Sequence, residues 1–177
     1  MLVFASGQRA EYFEHTGFTY ILLYSWVLRL GHLLGLIGLI DIDAIVASPA
    51  AEFDRAFSQV VFVGRGIGIF LAMATVVATW AIAWRATAHW FAALAAAGLI
   101  AGSLGLGFHA VLIRTELLGM LLLLLALLAT IEAARQGGTW RAVGMIAIAS
   151  FLAMLAVMTK FHMVVFTPAL PFLALCH

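Results

Sequence analysis

A chain of 177 residues that is 66% hydrophobic and 10% charged lacks the polar side chains to cover a water-facing surface, because soluble domains carry about a quarter charged residues. Its net charge of +1, with no basic run, offers nothing to nucleic acid, and its one cysteine, Cys176, excludes an internal disulfide. Such a composition suits hydrocarbon, where each backbone polar group has to be satisfied inside a helix or a closed barrel.

The apolar runs are continuous and lack strand alternation, which predicts helices, each needing about 20 residues to cross the hydrocarbon core. The first run follows Arg9, Glu11, Glu14 and His15 and is too long for the apolar part of a cleavable signal. Ala47-Ser48-Pro49-Ala50 resembles a cleavage site only faintly. Span one is expected over about 18–46, with Gly31, Gly35 and Gly38 for close packing and a stripe of Ser25, Arg29, His32, Gly35, Leu36 and Asp43. A polar loop with Ser48, Pro49, Glu52 and Asp54 leads to span two, about 57–84, where Arg65, Gly68, Ala72 and Thr79 align. Span three, about 88–112, opens on His89 and Trp90, an interfacial anchor. Along it Gly98, Gly102 and Gly105 lead to His109, and a row of glycines ending at a histidine leaves a groove beside the imidazole. Arg114 and Glu116 are expected at the interface before span four, about 115–134, whose uniform leucines suggest a peripheral helix. Gln136-Gly137-Gly138-Thr139 is a turn. In span five, about 141–167, Met158 and His162 lie one turn apart and Lys160 points away.

The predicted fold is therefore all-α: one integral membrane domain over residues 1–177, a polytopic transmembrane bundle of about five spans. Spans one, two, three and five form its inner four-helix bundle and the Leu-rich helix its periphery. With the N-terminal side called A, Arg9, Arg85, Arg135 and Arg141 fall on side A, and Arg55 and Arg114 on side B. This bias puts side A in the cytoplasm and suits a bacterial inner membrane.

Ionisable residues within a membrane point to function. Arg29, His32, Arg65, His109, Lys160 and His162 gather in the B half. Imidazoles on facing helices hold haem iron in membrane electron carriers, and arginines pair with propionates. His32, His109 and His162 are the candidate ligands, Arg29 and Arg65 the candidate propionate partners, with Gly35 and Gly105 giving room for a flat cofactor. Equally, each histidine can serve only as a hydrogen-bonding group between helices. His89 and His109 stand 20 residues apart, roughly 30 Å along a helix, so they cannot share one haem. There is no Cys-x-x-Cys-His for covalent haem, nor a Walker loop, paired zinc motif or nucleophile elbow.

Leu30-Gly31-His32-Leu33-Leu34-Gly35, followed by Val63-Gly64-Arg65-Gly66-Ile67-Gly68, resembles small membrane proteins of the copper-resistance D, membrane protoporphyrinogen oxidase and cytochrome b561-like group over about the first 85 residues. The resemblance implies a haem-binding role for His32. The arginine- and tyrosine-rich first-loop signature of the oxidase type is absent.

The resulting expectation is a membrane haem-b redox protein that carries electrons or oxidises a quinol or haem-type substrate near side B. One rival is a copper or proton pathway using His32, Asp43, Met158, His162 and Met163. The other is an accessory subunit of a larger membrane complex or homo-oligomer.

Overall fold

The computed structural model describes residues 17–38, 41–112, 114–168 and 170, apart from the side chains of Ile42, Phe161 and His162. His15, Cys176 and His177 lie outside the described residues. Helices α1 (Phe18–Leu33), α2 (Ile42–Ala47), α3 (Ala50–Thr87), α4 (Trp90–Ala101), α5 (Leu104–Val111), α6 (Glu116–Arg135) and α7 (Trp140–Thr159) follow in order, with a 3₁₀ segment at Phe161–Phe166. Among the described residues there is no strand. Local chemistry sets the ends. Pro49 leads into α3, Ala88 in the left-handed region stops it, and the Thr139 side chain caps α7 by accepting from the Ala142 N–H.

Among the described residues three helices, α3, α6 and α7, are long and apolar enough to cross a membrane; α4 and α5 make a fourth if the pair, bent by 54°, counts as one span. Two rims show how they stand. At one, Arg85 pairs with Glu132 at 3.0 Å, Arg135 donates to the Arg85 carbonyl, and Trp90 meets Trp80 and Trp84 edge-on. At the other, Gly68 abuts the Ala110 carbonyl and Lys160 pairs with Glu116. The second half of α3, the α4–α5 pair, α6 and α7 therefore run side by side, from rim A at the tryptophans to rim B at Glu116. The two carboxylates sit sixteen residues apart on α6, about 24 Å, against a hydrocarbon core of about 30 Å. Outward, Phe70, Met73, Val77, Phe91, Leu99, Ile148 and Phe151 are exposed, a surface compatible with a lipid bilayer.

The Leu-rich helix is central, not peripheral: 56% of the apolar window of α6 is buried, against 33% for α3 and 28% for α7. Leucines all round suit a helix enclosed by neighbours. Small residues on α7 make the room, since Ala142, Ala149, Ala153 and Ala156 are buried, and Gly119 of α6 rests on the Ala156 carbonyl and Met163.

Span one also differs from expectation. Helix α1 has 16 residues, short of the about 20 a crossing needs. Gly17, at φ 111° before it, lies against Thr115, and Thr19 Oγ1 donates to the Leu155 carbonyl at 3.5 Å. Tyr20 packs with Leu71, and Tyr24 donates to the Val60 carbonyl. So α1 starts at rim B, not side A, and runs antiparallel to the first half of α3, away from the four-helix slab. The chain then reverses through Gly35, at φ 70°, a conformation easy only for glycine. Helix α3, at 38 residues, is about 57 Å long, nearly twice one hydrocarbon core.

Candidate functional site

The α4–α5 break makes the site. Its backbone is satisfied locally: the Gly102 N–H donates to the Gly98 carbonyl at 2.8 Å, the Ser103 N–H to Ile100, and the Leu106 N–H to Ser103 Oγ at 3.4 Å. Broken helices at membrane depth are tolerated where they border a cavity. Here the 54° bend borders a partly open cavity of ≈ 580 Å³, well within the range of small-molecule sites. Ser103, Gly105 and His109 come from the break and α5, Glu116 and a row of leucines from α6, and Met163 and Phe166 from the 3₁₀ segment.

Most of this wall is apolar, and its polar groups stand at rim B. The Glu116 carboxylate is held by Lys160, both side chains 24% exposed. Arg114 lies over the Phe108 ring at 5.9 Å, and that ring meets His109 edge-on. His109 Nδ1 is buried and has no hydrogen-bond partner. Thr75, Thr130 and Thr159, also buried, each donate to a carbonyl one turn back. A buried polar atom without a partner is uncommon and costly. Tyr20 Oη and Gln136 Oε1 are unpartnered in the same way; the His109 ring lines the cavity, while its Nδ1 is shielded from it.

The expected site residues separate. His109 and Gly105 line the cavity. Arg65 lies one turn from Gly68, level with Ala110, but its side chain is exposed. His32 is exposed and its Nδ1 engages the carbonyls of Gly38 at 2.7 Å and Ile37 at 3.3 Å, closing the turn that contains Gly35. That turn is tied to Gln59 through the Gly38 N–H. Nine residues of α3 separate Gln59 from Gly68, about 14 Å, so His32 and His109 do not meet. Arg29 is half-buried on α1, near the His32 end and not at the cavity. His162 belongs to the 3₁₀ segment whose Met163 and Phe166 line the cavity, but its side chain lies outside the described residues. Among the described residues no three His, Cys, Asp or Glu side chains gather as a metal site. The copper set disperses as well, with Asp43 beyond the turn and Met158 exposed on α7.

Sequence reading did not find the cavity residue Ser103 or the Glu116–Lys160 pair, and it named Met163 only as a copper ligand. The signal for the pair was opposite charges placed at the rim B ends of neighbouring helices. Compared with known proteins, the chain matches no family model, no curated protein and no solved structure.

Proposed function

We propose that the chain is an integral membrane redox protein that takes a mostly apolar redox molecule, of the haem b or quinol class, into the cavity beside His109. Four crossings form the slab, in place of the about five that the apolar runs suggest, in a bacterial inner membrane. With α1 starting at rim B, Arg29, Arg55, Arg65 and Arg114 stand toward that side against Arg85, Arg135 and Arg141 at rim A, so arginine no longer marks rim A as the cytoplasmic one. The observation that carries the reading is the His109 ring at the edge of a cavity walled mostly by leucine, methionine and phenylalanine. An imidazole in that setting can ligate iron or hydrogen-bond a ring head. For haem b, His109 and Met163, which both line the cavity, are the residues that would hold the iron, and the haem would supply one-electron redox chemistry. The likeness of Leu30–Gly35 and Val63–Gly68 to haem-handling membrane proteins supports the same class, although His32 itself closes a turn.

The test uses the purified full-length protein in detergent. Its absorption spectrum is recorded oxidised and reduced, with and without added haem, and its binding of a decyl-tailed benzoquinone is measured by quenching of tryptophan fluorescence. A haem spectrum or saturable quinone binding, weakened at least tenfold in His109→Ala, is the expected result. Neither spectrum nor binding, or binding unchanged in His109→Ala, overturns the reading.

A further inference from the structure

The shape and polarity of the cavity identify one occupant class more closely. On α6, Glu116, Leu117, Met120, Leu123, Leu124 and Leu127 line it as a single helical face. From Glu116 to Leu127 is eleven residues, about 16 Å, close to half of the about 30 Å hydrocarbon core. The groove thus begins among the charges of rim B and ends among leucines near mid-bilayer. Haem b would bring two anionic propionates to the Glu116 end of this gradient, whereas a neutral head with a single long tail matches it along its whole length.

The head end also selects by charge. Glu116 lines the cavity and is held by Lys160, while neither Lys160 nor Arg114, which stands over Phe108, is among the lining residues. An anionic head would meet the Glu116 carboxylate while Lys160 is already engaged, which favours a neutral head. What the cavity offers a head is the His109 ring, with Ser103 also among the lining residues. A tail leaving lipid for this groove gains nothing from the hydrophobic effect, because hydrocarbon surrounds it before and after. Recognition therefore rests on the head. Resting on the proposed redox reading, we infer that the occupant is a neutral-headed, single-tailed amphiphile of the quinone type. It is taken sideways from the B-side leaflet, its head at His109 and its tail along the leucine face of α6.

The test is photolabelling of the full chain in liposomes. The probe is a benzoquinone with a saturated tail ending in a diazirine, and a fatty acid with the same tail and diazirine serves as comparison. The expected outcome is labelling of the α6 peptide around Leu123–Leu127 by the quinone probe, at least tenfold above the fatty acid, and reduced at least tenfold in Leu124→Trp. Leu127→Phe, a smaller obstruction, keeps the test decisive if the tryptophan variant does not fold, and it should weaken labelling without changing helix content. Equal labelling by both probes, or labelling confined to lipid-facing positions such as Phe151, overturns the inference. A haem spectrum that depends on His109, together with absent tail labelling, overturns the inference while leaving the redox reading in place.

Discussion

His109 poses a conflict at the scale of one side chain. A buried nitrogen without a partner costs the fold about 1–3 kcal/mol, and this one has none. If the imidazole serves stability, removing it harms the protein; if it serves a ligand, removing it relieves the protein. His109→Leu is therefore expected to leave the thermal midpoint unchanged or raised, while quinone or haem binding falls at least tenfold, about 1.4 kcal/mol. A destabilisation beyond about 1 kcal/mol, seen as a lower midpoint in detergent, would mean that the imidazole is structural. This residue was legible in the sequence, because three glycines precede it at helical spacing and end at its ring. His32 looked equally good by the same pattern, being charged-stripe neighbour to Arg29 and Gly35. What distinguishes them is the chain reversal after Leu33, which gives His32 two nearby carbonyls; apolar periodicity carries no mark of that turn.

Between helices, close approach is decided by where small residues fall. Gly66 and Gly68 lie two apart on α3, yet a Cβ at Gly68 would overlap the Ala110 carbonyl while one at Gly66 would meet nothing within 4 Å. Gly68→Ala is thus expected to destabilise the α3–α5 contact by about 1–3 kcal/mol. Gly66→Ala should be neutral or stabilising by about 0.5–1 kcal/mol, the ordinary gain of alanine over glycine inside a helix. Denaturation of both variants in the same detergent checks the pair, and equal effects would show that α5 does not press on α3 at this point. The helices themselves were readable: the expected span 115–134 matches α6, and the start of span five matches α7 at Trp140. The placement of α6 was not. A run of leucines has no polar side to orient it, so the same letters fit a lipid-facing helix and an enclosed one. The alanines of α7, read as part of an ordinary apolar span, were what decided between them.

At the scale of the whole molecule, the bends separate the five apolar runs from the observed architecture. Length and hydropathy count helices, but they do not say whether an apolar helix stands beside its neighbours or is stacked on them. Span one illustrates this, since α1 is apolar enough to suggest a crossing, yet its first turn meets Thr115 and Leu155 at rim B and its later turns follow the first half of α3 outward. That arrangement leaves Trp26, Leu33, Phe57 and Phe62 exposed on the α1–α3 hairpin beyond rim B. A side-by-side bundle of five would instead put residue 19 near rim A, one membrane thickness away from Leu155. The two arrangements differ in a single measurable proximity. In a Cys176→Ser background, Thr19→Cys with Leu155→Cys should cross-link with a short bismaleimide in native membranes, whereas Thr19→Cys with Gly138→Cys should not. Gly138 lies in the turn beyond Arg135, at rim A. Cross-linking of the second pair and not the first would return α1 to the bundle as a fifth crossing and bring His32 back toward the depth of the cavity.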